Sequence, residues 1–237
     1  MKKAVIIQAR MSSSRFPAKM MSVLAGVPLV RFVYERCLNS KEADTVAVAT
    51  SNDPSDDRLY EYCRAEGIPV FRGSLDNVLE RYVRAAEFYG ADVVCRVCGD
   101  SPFADPALSD DMFKILDAEG VDYAAPVSGT CIAGLDSEVI RVSALNMALR
   151  HAADSYELEH VTPYIKRNAS IFKIKLIDVN LRPGELSGLV LTVDYPGDLD
   201  ICNRIAAILG LGYNFTSHDI FDALLYNRAI LKMNRGL

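Results

Sequence analysis

Short apolar runs alternate along this chain with stretches in which apolar positions recur every three or four residues. The runs Ala4–Ile7, Thr45–Ala49, Ile68–Phe71, Val93–Val97 and Val121–Ala124 are apolar or β-branched at most positions, which predicts strands, with those at Ala4–Ile7, Thr45–Ala49 and Val93–Val97 buried. Between them, Leu29, Val30, Val33, Cys37 and Leu38 are spaced for a helix over Pro28–Leu38, with Pro28 suited to its first turn. Asp53-Pro54-Ser55 offers caps for a helix over Asp56–Glu66 that Gly67 ends, Asp76–Tyr89 reads as a helix ended by Gly90, and Asp105-Pro106 opens another to about Glu119. Strand and helix in strict alternation predict an α/β fold: a mostly parallel open sheet with helices on both faces, a Rossmann-like three-layer arrangement.

Beyond Pro126 the pattern loosens. A strand-like piece around Glu138–Ile140, a helix over Ser143–Ala153 and an extended segment Phe172–Val179 are expected there. The chain then returns with Leu189–Val193 as a strand and helices over Pro196–Leu209 and Ser217–Leu231. Residues 126–190 read as an excursion covering the site, forming an acceptor lid or a dimer contact, within one domain spanning residues 1–237.

A chain of 237 residues with 50% hydrophobic and 24% charged side chains can bury a substantial core. Its net charge of −5 argues against a nucleic-acid partner, so any polyanion it binds should be small. Only four apolar residues separate Met1-Lys2-Lys3 from Gln8, and no long apolar stretch follows. The expectation is a cytoplasmic protein without a membrane partner. The six cysteines suit reduced core thiols. Cys95 and Cys98 match CxxC, but they fall in a predicted strand, where an offset of three puts them on opposite faces, which argues against zinc.

Three segments carry candidate chemistry. The first, Gln8-Ala9-Arg10-Met11-Ser12-Ser13-Ser14-Arg15-Phe16-Pro17-Ala18-Lys19, leaves a buried strand and gathers Arg10, Arg15 and Lys19 around three serines. At the carboxyl end of a central strand such a loop can cradle phosphates, although a solvated basic loop would look the same. In the second, Cys98-Gly99-Asp100-Ser101-Pro102, an aspartate sits at a strand end; in the third, Val193-Asp194-Tyr195-Pro196-Gly197-Asp198, the pattern repeats just before a helix. Asp100 and Asp194 could share a Mg²⁺ whose other ligands are phosphate oxygens and water. The alternatives are an Asx-turn at Asp100 and helix capping at Asp194, with Asp198 in the first turn.

These segments resemble the sugar-acid cytidylyltransferases, and above all the spore-coat polysaccharide SpsF family, whose opening motif usually reads ARMGSTRLPGK; here Ser12 and Ala18 stand where the family usually has glycine. The segments at Asp100 and Asp194 are similar to the family's GDCP and VDTPEDL. Glu159-His160-Val161-Thr162-Pro163-Tyr164-Ile165 resembles EHVTPYI, Gly134-Leu135-Asp136 with Glu138 resembles GLDVEVF, and residues 72–82 resemble RGSxxDVLxRY. The family often has DGLD where this chain has Ala133-Gly134-Leu135-Asp136. The likeness spans residues 4 to about 202.

The resemblance implies a nucleotide-diphospho-sugar transferase-like fold and transfer of CMP from CTP to a sugar or sugar acid of the nonulosonic type, with Mg²⁺ as cofactor, pyrophosphate as product and surface polysaccharide as destination. It implies a nucleotide site of Ala9, Arg10, Ser12, Ser13, Lys19, Gly73, Ser74, Arg81 and Asp100, with Arg10, Arg15, Lys19 and Asp100 carrying catalysis. It places Asp136, Glu159 and His160 by the acceptor, the metal on Asp100 and Asp194, and two copies in a homodimer. Arg81 could instead form a helix-surface ion pair, and His160 could be a structural hydrogen bonder. Two rivals remain at this level. A glycosyltransferase would use a DxD, for which Asp198-Leu199-Asp200 is the nearest match, and a non-catalytic nucleotide-binding protein could keep the fold. A P-loop enzyme is disfavoured because GxxxxGK[ST] does not occur.

Overall fold

Strand β1, Lys3–Gln8, is the middle of the structure, with Ala4, Ile6 and Ile7 wholly buried. The computed structural model describes residues 1–181, 184–186, 188–231 and 233. β1 is followed by a two-stranded hairpin, β2 (Val23–Leu24) and β3 (Val27–Pro28), then by α1 (Leu29–Cys37), β4 (Thr45–Ser51), α2 (Asp57–Ala65), β5 (Val70–Gly73), α3 (Val78–Tyr89), β6 (Val93–Cys98) and α4 (Pro106–Glu119). Next come β7 (Tyr123–Pro126), β8 (Glu138–Arg141), α5 (Val142–His151), α6 (Ser155–His160), α7 (Pro163–Arg167), β9 (Ile174–Ile177), α8 (Pro196–Ile208), α9 (Ser217–Tyr226) and α10 (Arg228–Leu231).

Seven strands form one sheet in the order β5-β4-β1-β6-β8-β7-β9, in which β8 alone runs antiparallel to its neighbours. The expected fold, a mostly parallel sheet between two helical layers, is what forms. β1 sits between β4 and β6 with Gln8 opposite Ala49 on one side and Cys98 on the other, so three strand ends meet where the loop 9–19 leaves. On one face Val5, Ile7, Val48 and Val97 pack with Phe32, Phe113, Ile201 and Ile220 from α1, α4, α8 and α9. On the other, Ala4, Ile6 and Val94 pack with Tyr82, Leu145 and Ile165 from α3, α5 and α7.

The returning strand expected at Leu189–Val193 does not form. Val190 makes one isolated bridge, to Ala133, because the neighbour of this segment is a loop rather than a strand edge. Leu189, Leu191 and Val193 are buried as anchors of that loop, which is the apolar pattern that reads as a strand. The helix expected over Ser217–Leu231 is interrupted at Asn227, whose φ of −123° and ψ of 57° are not helical. Within residues 126–190, β8 and β9 extend the sheet, while α6 brings Glu159 and His160 to the strand ends; Arg182, Pro183 and Ser187 of that stretch lie outside the described residues. No helix among the described residues is long and apolar enough to cross a membrane.

Candidate active site

The loop after β1 is tied down from beneath. Asp56 is fully buried, and its carboxylate accepts the Met11 N–H at 2.6 Å, the Ser51 N–H at 3.1 Å and the Ser51 hydroxyl. The Ala18 N–H donates to the Met11 carbonyl at 3.0 Å and closes the loop, with Ala18 at φ +58°. Lys19 follows in a 3₁₀ turn, Lys19–Met21.

Asp100 reaches the site because Gly99 permits it. A Cβ on Gly99 would lie 2.9 Å from Met20 Sδ and 3.0 Å from the Gln8 carbonyl oxygen, so only glycine lets β6 turn this close to β1. Asp194 arrives on the segment after Leu191, held by the Val193 N–H donating to the Asp100 carbonyl at 2.8 Å. Asp198, not Asp194, caps α8: its carboxylate accepts the N–H groups of Asp194 and Tyr195, both at 2.9 Å. That duty also removes Asp198 as the first aspartate of a glycosyltransferase DxD.

The Lys19 ammonium stands between the two aspartates, 2.7 Å from Asp100, 3.6 Å from Asp194 and 2.8 Å from the Val193 carbonyl. Arg15 donates to Asp194 at 2.6 Å and stacks over Tyr195, and Arg10 pairs with Glu159 at 3.3 Å. These groups line a cleft of about 260 Å³ that also takes in Ala9, Ser12, Ser13, Arg81 and His160. The loop, the strand ends, α3, α6 and the segment before α8 therefore bring together eleven of the residues singled out from the sequence, Asp194 and Arg15 among them.

Three others lie elsewhere. Gly73 and Ser74 do not line the cleft but shape Arg81, which does. A Cβ on Gly73 would come within 3.0 Å of Arg81 Cγ, and the Ser74 carbonyl accepts from Arg81 at 2.7 Å. Arg81 is almost wholly buried, and burial pulls its guanidinium below the usual arginine range. Asp136 is exposed and borders a second cavity, of about 470 Å³, with Glu138, Lys166 and Tyr123. Sequence reasoning missed Gln8 and Val78, which also line the cleft; Gln8 Oε1 is buried with no hydrogen-bond partner among the described residues. Their position at the end of β1 and the first turn of α3 was the available signal.

Cys95 and Cys98 do face opposite ways. Cys95 Sγ meets the Ser109 hydroxyl inside one layer, whereas Cys98 lines the cleft, and burial raises both thiols to about 11. No cluster of three or more His, Cys, Asp or Glu among the described residues is arranged to hold a metal ion. The donor set is instead two hard carboxylates bridged by one ammonium. That fits Mg²⁺, which takes one or two carboxylates and completes its shell with phosphate oxygens and water.

Cationic groups and an aspartate pair, gathered where β1 and β6 end and the segment before α8 returns, are an arrangement suited to nucleotidyl transfer. The cytidylyltransferase family model matches residues 4–191, and the chain belongs to that family, as a nucleotidyltransferase that uses CTP. It is 35% identical over 179 residues to the spore coat polysaccharide biosynthesis protein SpsF of Bacillus subtilis, covering 73% of each chain. Over 113 residues it is 36% identical to the 3-deoxy-manno-octulosonate cytidylyltransferase of Geobacter sulfurreducens, covering 47% of this chain and 44% of that one. Among solved structures, a cytidylyltransferase from Leptospira borgpetersenii superposes with a TM-score of 0.88 at 30% identity, covering 97% of this chain and 96% of the other. The SpsF-like reading of the motifs stands.

Proposed function

We propose that this cytidylyltransferase moves CMP from CTP to a sugar or sugar acid of the nonulosonic type, releasing pyrophosphate in a Mg²⁺-dependent reaction that feeds surface polysaccharide synthesis. The observation that carries the reading is the Lys19 ammonium held between Asp100 and Asp194 at the floor of a cleft whose rim is Arg10 and Arg15. A triphosphate supplies the negative charge this arrangement lacks. Arg10, Arg15 and Lys19 hold the β- and γ-phosphates and stabilise the departing pyrophosphate, aided by loop N–H groups and the Ser12 and Ser13 hydroxyls. Arg81, with Gly73 and Ser74 behind it, meets the nucleoside.

Asp100 and Asp194 would hold the Mg²⁺, which when bound neutralises charge at the α-phosphate and eases deprotonation of the acceptor hydroxyl. Glu159 and His160 orient the acceptor for in-line attack, so the protein contributes position and charge rather than covalent chemistry. Asp136, by the second cavity, contacts a distal part of a long acceptor. We read the enzyme as a cytoplasmic homodimer whose contact includes residues 126–190, where Leu176 on the sheet-edge strand β9 is 52% exposed. Sedimentation of the purified chain tests the oligomer.

The test of the reaction is pyrophosphate release with Mg²⁺ from CTP, GTP, UTP and ATP, against a panel of sugars and sugar acids that includes 3-deoxy-manno-octulosonate, with Asp100→Ala alongside. Release that requires CTP and one acceptor and disappears in the variant is expected. CTP binding without release against any acceptor would return the protein to a nucleotide-binding role.

A further inference from the structure

Between α6 and α7 the chain reverses through a single residue. Val161 is buried and β-branched, yet it has φ +71° and ψ −53°, and the Thr162 N–H donates to the His160 carbonyl at 2.8 Å. This is a γ-turn of positive φ, a rare and strained conformation that a β-branched side chain makes worse. Such strain persists only where the surroundings over-determine it. The helices on either side have six and five residues and are too short to impose it themselves. The two residues just before the turn, Glu159 and His160, are the ones that reach the CTP cleft.

The turn is fastened to the sheet by one carboxylate, beside the pairs that Arg167 of α7 makes with Asp154 and Glu157 at α6 and the burial of Val161. Glu138 on β8 accepts from the Thr162 hydroxyl at 3.1 Å, from Lys166 of α7 at 2.6 Å, from Tyr123 of β7 at 2.6 Å and from Arg96 of β6 at 2.9 Å. It therefore fastens both the residue after the turn and the helix after that to the strand that ends at the Asp100 loop. Glu138 itself does not line the cleft. We propose that Glu138 is a positioning residue: through Thr162 and Lys166 it holds the strained turn at Val161 and so keeps Glu159 and His160 in the CTP cleft. What those two residues do to the acceptor rests on the function proposed above; their placement does not.

The chain has three histidines, so imidazole NMR of the full-length protein reports on His160 directly. In the native chain its resonance should move when CTP is added. In Glu138→Gln the response should fall by about half or more and exchange of the Thr162 amide should quicken about tenfold, while CTP affinity by calorimetry stays within about twofold. Thr162→Val, which cuts only the hydroxyl link, should move both readouts the same way and remains informative if Glu138→Gln does not fold. Glycine takes a positive φ freely, so in a Val161→Gly background the Glu138 substitution should barely change the His160 resonance. An unchanged His160 response, equal effects in both backgrounds, or CTP affinity falling in step with melting temperature would each overturn the proposal. Thr162 exchange is read without nucleotide, so a native chain that failed to bind CTP would sink the functional reading and leave this one tested.

Discussion

Lys19 lies 2.7 Å from Asp100 and, with a side chain only 8% exposed, also neutralises Asp194 at 3.6 Å. One buried ammonium thus holds two carboxylates together in a site where they would otherwise repel each other. In Lys19→Met turnover should fall by roughly a hundredfold or more if, as proposed above, the Lys19 charge stabilises the leaving pyrophosphate. The same variant should bind Mn²⁺ more tightly than the native chain in the absence of CTP, because the competing cation has left the aspartates. Calorimetry with Mn²⁺ and a turnover assay check the two halves separately.

Ala18 occupies the left-handed region, with φ +58°, at a position where the related motif carries glycine. An L residue pays about 1 kcal/mol there relative to glycine. Ala18→Gly should therefore raise the melting temperature by about 2–4 °C for a chain of this size, despite glycine's greater freedom when unfolded. CTP affinity should hold, because the Ala18 N–H to Met11 carbonyl bond that closes the loop needs no side chain.

Much of the fold from β1 to α4 is legible because β1, β4 and most of β6 are buried on both sides and because α3 and α4 carry side-chain caps, Asn77 and Asp105. Asp100 and the basic loop are legible for a related reason: they follow β6 and β1 at strand ends, where an open sheet puts its ligands, while Asp194 is legible from an apolar run that imitates a strand. Legibility fades after Pro126. The six- and five-residue helices α6 and α7 owe their existence to the Glu138 network and to buried Val161 and Ile165, which no local propensity announces. Leu189, Leu191 and Val193 imitate a strand because a loop anchored by alternate residues has the same period. Gln8 and Val78 are chemically plain, and only the register of β1 with its neighbours brings Gln8 to the cleft.

The Glu138 carboxyl gives a pH signature. Burial alone would raise it, but Arg96 and Lys166 overcome that and hold it at about 2, against an ordinary value near 4.5. A carboxyl depressed on folding stabilises the protein above its unfolded value and loses that contribution as pH falls through the folded one. The native chain should therefore exceed Glu138→Gln in stability by ~3 kcal/mol above pH 4.5, and the gap should close between pH 4.5 and 2. Urea denaturation of both proteins across that range checks it; a gap independent of pH would mean that the difference comes from packing and not from the ion pairs.

Gly134 bears on the position of Asp194 from a distance. Its φ is +99°, and a Cβ there would lie 2.7 Å from the Leu191 carbonyl carbon and 2.9 Å from the Thr192 nitrogen. The Leu191 N–H donates to the Ala133 carbonyl at 2.8 Å, so the two backbones are already in contact and neither can retreat without giving up that bond. Gly134→Ala must push Leu191–Thr192 outward, and Asp194 lies two residues further on. Stability should drop by about 2 kcal/mol or more, from strain and clash together. On the proposed function, which gives the triphosphate to the loop 9–19 and the metal to Asp194, turnover should drop more than CTP affinity does. Gly26→Ala separates the two causes: Gly26 also has positive φ, at +85°, but a Cβ there meets nothing within 4 Å. That variant should lose about 1 kcal/mol and keep its turnover at saturating Mg²⁺. If both variants lose turnover alike, backbone strain alone accounts for Gly134, and the contact with Leu191 does not set the position of Asp194.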